Sequence, residues 1–184
     1  GLVITGATPI AGMPFIIKWA GSSFLSSKPE SFLSKIPVSF VMMLIVYILF
    51  SIFLNYTTLG RHIYAVGGNI NTAGLSGINV DFVRTSVYVI SGVMAALGGI
   101  MLTGRTDSAY PLSGNLLEND AIAAVIIGGT SFFGGKGNVL GTFTGVLLIA
   151  VLRNGLNLLN VSSDMQTIFL GAIIIVAVFI DVVR

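Results

Sequence analysis

Asp120-Ala-Ile-Ala-Ala-Val-Ile-Ile-Gly-Gly-Thr-Ser-Phe-Phe-Gly-Gly-Lys-Gly137 is the stretch whose reading decides the fold of this 184-residue chain. Its apolar part, opened by acids and closed by glycines, is only about ten residues long, too short to cross a hydrocarbon core of roughly 30 Å unaided. The stretch therefore predicts a broken or half-depth helix. Irregular backbone survives at membrane depth only where protein buries it or a watery cavity hydrates it, so the break points to a path for something polar.

The flanking sequence supplies the membrane. Residues 36–54 are almost unbroken hydrocarbon opened by Pro37, whose missing N–H suits a helix start. Further spans are predicted over residues 82–102, 139–159 and 165–183, with the broken element over 117–128 and a polar turn at 160–164. Residues 1–35 mix short apolar runs with Pro9, Pro14, Pro29 and a cluster of serines, and read as a structured extramembrane loop region. Residues 55–81, polar and glycine-rich, read as a loop with one short helix. Asn69 or Asn71 would cap that helix and Gly77 would stop it, leaving Ala73, Leu75 and Ile78 as apolar side chains for a partner to cover.

Composition agrees. Hydrophobic residues make up 54% and charged residues 9%, with a mean hydropathy of +0.97, against roughly 25% charged residues in a soluble domain. The fold class is all-α, a polytopic transmembrane helix bundle with one broken or half-depth helix. A net charge of +2 is spread from Lys18 to Arg184 without a patch or stripe, which argues against nucleic acid as a partner. The absence of cysteine and the single His62 exclude a thiolate metal site, a disulfide framework and a cysteine nucleophile, and argue against a zinc centre. The chain starts at Gly1 without a basic region, apolar core and cleavage site, and is expected to be a piece of a longer protein.

Gly134-Gly135-Lys136 superficially resembles a nucleotide-binding loop. Thr130 stands where the first glycine is required and Gly137 where Ser or Thr is, so the chain itself is expected to bind no ATP and to carry no cofactor. Glu118 and Asp120, at the mouth of the broken helix, suit the positive end of its dipole; the other reading is a part in polar solute passage or gating. Arg153, Asn154 and Asn157 on the 139–159 span suit snorkelling and interhelical hydrogen bonds, with the solute path as the other reading. Thr130 and Ser131 are expected to hydrogen-bond backbone groups freed by the break. Small residues at four-residue spacing, Gly137, Gly141 and Gly145 on one helix and Ser91, Ala95 and Gly99 on another, predict close helix packing or a homodimer contact.

With residues 117–136 counted as a crossing, residues 1–35 and the C-terminus lie on opposite sides. Placing 55–81 in the cytoplasm puts Arg61, Arg84, Lys136 and Arg184 inside and Lys18, Lys28, Lys35, Arg105 and Arg153 outside, a near-even count that leaves orientation open.

Several separated motifs in order carry a resemblance: Gly60-Arg-His-Ile-Tyr-Ala-Val-Gly-Gly-Asn69, Ala73-Gly-Leu-Ser-Gly-Ile-Asn-Val80, Asp120-Ala-Ile-Ala-Ala124, Gly128-Gly-Thr-Ser131, Gly134-Gly-Lys-Gly137 and Asn154-Gly-Leu-Asn-Leu-Leu-Asn-Val-Ser-Ser163. From about residue 36 onward the chain closely resembles the membrane permease of ribose-type sugar ABC importers. It departs from the usual pattern at Ile70, Thr72, Gly74 and Asn119.

The resemblance implies a homodimer or pseudo-dimer in the bacterial inner membrane, with this chain as the C-terminal portion of a permease. It implies an ATPase subunit carrying ATP and magnesium inside, and a sugar-binding protein outside. Residues 1–35 would then be an extracytoplasmic loop region and 36–184 the C-terminal transmembrane bundle, with 55–81 its cytoplasmic coupling loop. By the same resemblance Asn69, Ala73, Leu75, Ser76 and Gly77 belong to the coupling segment that meets the ATPase. The function implied is not enzymatic: a small sugar, ribose-like, passes by alternating access. Other solutes of the superfamily are nucleosides, branched-chain amino acids and a signalling furanose; a self-contained ion-coupled carrier is the reading from another class, disfavoured by the few intramembrane carboxylates.

Overall fold

The computed structural model describes residues 8–24 and 36–183. The remaining parts of the expected 1–35 loop region, and Arg184, lie outside the described residues. Within them the chain is all-α apart from a two-residue strand pair, as the composition predicts. The order is β1 (Ile10–Ala11), α1 (Phe15–Ser22), α2 (Val38–Tyr56), α3 (Thr58–Gly68), α4 (Ile70–Leu75), α5 (Val80–Thr106), β2 (Ser108–Ala109), α6 (Leu117–Ile127), α7 (Val139–Leu158) and α8 (Ser163–Val183).

Among the described residues three helices, α2, α5 and α7, are long and apolar enough to cross a membrane. Only 6% of the most apolar window of α2 or α5 is buried, and 11% of that of α7, so their apolar side chains are left for lipid or for other protein. The span expected at 165–183 is helical as α8, with its apolar portion over Ser163–Phe179. Helix α5 is longer than the expected 82–102, because Asn79 caps its start by accepting from the Phe82 amide at 3.0 Å and the helix runs on to Thr106.

The chain divides into two compact units, one of residues 1–49 and 85–115 and the other of 50–84 and 116–184. In the first, β1 pairs antiparallel with β2, Ile10 opposite Ala109. Helix α1 lies against the end of α5: a Cβ on Gly21 would strike the Gly104 and Arg105 backbone. Lys18 and the Met13 amide both reach Asp107, at 2.9 and 3.3 Å. The close helix packing expected of Ser91, Ala95 and Gly99 is not made within this unit, where all three are exposed.

The second unit holds two cores. Ala123, Ala124, Ile149 and Leu170 join α6, α7 and α8. Val66, Ala73 and Val83 join α3, α4 and the start of α5, with Leu59, Ile63 and Ile78 packed on them.

The 55–81 segment is more ordered than a loop with one short helix. Tyr56 still belongs to α2, and Thr57 then caps a full helix, α3, by accepting from the Gly60 amide at 3.0 Å. Gly60, which alone would argue against a helix, permits α3 to press on the Phe53 and Leu54 backbone of α2.

Candidate functional site

The half-helix is formed as its sequence predicts. Helix α6 has 11 residues, about 17 Å at 1.5 Å per residue, roughly half the hydrocarbon thickness. Gly128 ends it, its amide donating to the Ala124 carbonyl at 2.9 Å, and Gly129 follows at φ +84°. Glu118 and Asp120 lie in its first turn. They are not equivalent: Glu118 is exposed, while the Asp120 carboxylate takes a 2.6 Å bond from Arg153 Nη2 on α7. Arg153 thus makes an interhelical bond that ties the half-helix to the neighbouring span. Its Nε is buried with no partner among the described residues.

Helix α7 runs antiparallel along α6, close enough that a Cβ on Gly141 would meet the Gly128 carbonyl and one on Gly145 the Ala124 carbonyl. Gly141 and Gly145 of the expected ladder thus pack within the bundle, while Gly137 precedes α7. Asn157, the other polar residue of interest on α7, accepts from Gln166 Nε2 at 2.8 Å, and Gln166 also donates to the Val161 carbonyl at 2.9 Å. Gln166 is 5% exposed and pins the α7–α8 turn. Asn154 is exposed.

After the break, residues 128–138 form a closed turn. The Ser131 amide donates to the Lys136 carbonyl at 3.0 Å and the Gly134 amide to the Ser131 carbonyl at 3.2 Å. Ser131 does bind a freed backbone group, accepting from the Phe133 amide at 3.3 Å, but its hydroxyl also donates to Asp181 Oδ2 at 2.9 Å. Asp181 further accepts from the Phe132 amide at 3.0 Å. Thr130 acts differently from Ser131: its side chain flanks Gly137, where a Cβ would come within 3.1 Å of it. Beside this junction opens a cavity of about 560 Å³, largely apolar, lined among others by Ile126, Ile127, Thr130, Phe169, Val176 and Asp181.

The segment expected to couple, residues 69–77, is built as a capped helix. Asn69 Oδ1 accepts from the Thr72 amide at 3.0 Å, Ser76 Oγ donates to the Thr72 carbonyl at 2.9 Å, and Gly77 stops the helix at φ +82°. The apolar residues expected to await a partner divide here. Ala73 is 3% exposed and Ile78 is packed on the same core, whereas Leu75 is 90% exposed. Of these, Leu75 is open to a partner and Ala73 is not.

A hydrogen bond and a set of backbone contacts join α3 to the turn after the half-helix. Tyr64 on α3 donates its hydroxyl to the Gly137 carbonyl at 3.2 Å. One turn on, Gly67 and Gly68 meet Gly134 and Gly135 backbone to backbone; a Cβ on Gly67 would lie 2.9 Å from the Gly135 nitrogen, and one on Gly135 2.6 Å from the Gly68 Cα. Gly134 and Gly135 take φ of +90° and +73°, so the seat also needs their backbone freedom. Tyr64 and Asp181 were not among the sequence-derived candidates. Their partners lie 73 and 49–50 residues away along the chain, and no local pattern announces such pairs.

The family described as "Branched-chain amino acid transport system / permease component" matches residues 4–178. The ribose import permease protein of Bacillus subtilis (strain 168) is 41% identical over 181 residues, 98% of this chain and 54% of that protein. The D-allose transport system permease protein of Escherichia coli (strain K12) is 42% identical over 181 residues, 98% of this chain and 53% of that one. The xylose transport system permease protein of the same strain is 46% identical over 125 residues, 68% of this chain and 32% of that one. The chain spans about half the length of the curated relatives it matches. No solved structure matches it significantly.

Proposed function

The chain belongs to the family of permease components of branched-chain amino acid type transport systems, and from that premise we propose that it is part of the permease subunit of an ATP-binding-cassette importer that passes a ribose-like monosaccharide. Its family and its long apolar helices make it a multi-pass protein of the bacterial inner membrane. The observation that carries the reading is the half-helix α6, stopped at Ile127 and packed between α7 and α8 beside a cavity. A span that ends at half depth can shift its polar terminus without dragging a whole helix through the bilayer.

In this reading α4 faces an ATPase in the cytoplasm, with Leu75 as the side chain seated in it and Asn69, Ser76 and Gly77 holding the helix that presents it. ATP and magnesium bind on that partner. A binding protein delivers the solute from outside, and a second copy of the permease completes the path; the open face of Ser91, Ala95 and Gly99 suits a close helix contact there. Glu118, exposed at the mouth of α6, and Asn154, exposed on α7, are the groups offered to the path, while Asp120, Asn157, Thr130 and Ser131 hold its walls. The cavity beside α6 is too apolar to cradle a sugar alone, so selectivity rests with the binding protein. The likeness to ribose, allose and xylose permeases supports a monosaccharide; the family's description makes a branched-chain amino acid the alternative solute.

The test is uptake by the full-length permease with its ATPase and binding protein in proteoliposomes. Labelled ribose, allose, xylose and leucine are offered with and without ATP on the ATPase side. Ionophore-insensitive, ATP-dependent uptake of a pentose or hexose is expected. Uptake without ATP that collapses with an ionophore would establish an ion-coupled carrier instead.

A further inference from the structure

We infer that the backbone seat between Gly67–Gly68 and Gly134–Gly135, with the Tyr64 hydroxyl bond to Gly137, is the strut that passes movement of the coupling segment to the half-helix; this rests on the transport reading above.

The near side of the strut moves as a body. Ala73 of α4, Val66 of α3 and Val83 of α5 share one buried core, and α4 is capped directly onto the end of α3 by Asn69. A displacement of α4 therefore carries α3. The far side of α3 touches the 128–138 turn main chain to main chain at Gly67 and Gly68, with the Tyr64 hydroxyl bond to Gly137 beside that contact. A side-chain contact can absorb a displacement by changing rotamer, whereas two backbones in van der Waals contact have nothing to rotate, and close-packed protein is stiff enough to transmit strain. The turn is in turn closed by the Ser131–Lys136 bond, held to α8 by Asp181, and continuous with Gly128, the residue that ends α6 against Gly141. Movement of α3 is thus delivered to the C-terminal end of α6. Tyr64 and the four glycines are positioning residues and need not touch solute.

The chain contains no cysteine, so single thiols make clean probes. In the full-length, cysteine-free permease with its ATPase and binding protein, Asn71→Cys places a probe on α4 and Asn119→Cys one on α6, both at exposed positions. Thiol-labelling rates are compared between the nucleotide-free and the vanadate-trapped state. Both probes are expected to change rate in the otherwise unaltered protein. With Tyr64→Phe or Gly135→Ala the α4 probe keeps its response, while the response of the α6 probe, and solute uptake per ATP hydrolysed, fall by about two- to thirtyfold. Tyr64→Phe removes one hydroxyl and decides the matter should Gly135→Ala not assemble. An unchanged α6 response in Tyr64→Phe and in any assembled Gly135→Ala protein overturns the strut and leaves the transport reading standing. If neither probe responds in the unaltered complex, the transport reading fails and the strut with it.

Discussion

Asp120 and Arg153, 33 residues apart in the chain, meet at 2.6 Å between the half-helix and the span beside it. The pair adds a polar tie to the backbone contacts at Gly141 and Gly145 that fix which face of α6 looks toward α7. The charge-assisted bond is short and Asp120 is the more enclosed partner, with side-chain exposures of 15% for Asp120 and 35% for Arg153. The pair therefore explains why an acid and a base both sit in an apolar neighbourhood.

Removing one charge should hurt more than removing both. Asp120→Ala leaves Arg153 unpaired among apolar groups and should lower stability in detergent by about 1–3 kcal/mol, less than for a fully buried pair because Arg153 is partly exposed. Asp120→Ala combined with Arg153→Leu should recover most of that loss. Thermal melts of the four proteins of the cycle check this; a double variant no better than Asp120→Ala would show that the pair does not couple.

Gly141 should tolerate nothing larger. Even Gly141→Ala drives a Cβ into the Gly128 carbonyl and should destabilise by about 1–3 kcal/mol, with Gly141→Leu worse. Gly155 on the same helix has open space around it, so Gly155→Ala should be neutral or stabilise by up to about 1 kcal/mol. Equal melting temperatures for Gly141→Ala and Gly155→Ala would mean that helix propensity, not packing, governs α7.

Much of this fold was legible because lipid imposes strong rules on sequence. Unbroken apolar runs became α2, α5 and α7, and the glycines after Ile127 ended α6 where expected. Helix α3 was hidden by the same logic: Gly60, Gly67 and Gly68 lower local helix propensity, and only tertiary contact explains them, since each lies against another backbone. Ala73 looked like an exposed apolar residue because the core that buries it comes from Val66 and Val83, outside its own helix. Asp181, near the end of an apolar run, carries no sign of the loop it caps.

Leu75 is 90% exposed on α4, the helix proposed to meet an ATPase, so a charge there should act on that contact and spare the fold. Leu75→Asp in the full-length permease should express and melt normally, since a solvent-exposed position changes stability by about 0.5 kcal/mol or less. Uptake should fall at least about tenfold, the loss of about 1.4 kcal/mol of coupling. Undiminished uptake by well-expressed protein would remove α4 from the ATPase interface.

The α1 contact should depend on pH at its acid end. The side-chain hydrogen bond from Lys18 is the main cause holding the Asp107 carboxyl below its ordinary value. A carboxyl lowered in the folded state contributes stability that is complete above its unfolded value and lost as pH falls through the folded one. Docking of α1 should thus be constant from neutral pH to the ordinary carboxylate range and loosen below it, at about pH 4 or less. Trp19 on α1 is the chain's only tryptophan, and its emission, with any tryptophans elsewhere in the full-length protein replaced, reports the change. Asp107→Asn should show the acid spectrum already at pH 7; emission constant down to pH 3 would exclude the contact as the sensitive element.

Asp181 should govern how firmly the turn after the half-helix is held. One oxygen, Oδ2, receives both the Ser131 hydroxyl and the Phe132 amide, so Asp181→Ala leaves two donors without their acceptor at a cost of about 1–3 kcal/mol. The effect is local, because α6 keeps its packing on α7 through Gly128, Gly141 and Gly145. Hydrogen exchange at the Phe132 amide should therefore quicken by about tenfold or more, while the interior amides of α6 are unaffected. Asp181→Asn retains an acceptor oxygen but not the charge and should give an intermediate rate. Uniform acceleration across α6 would mean that Asp181 supports the whole half-helix, and an unchanged Phe132 rate that its carboxylate does not hold the turn in the membrane.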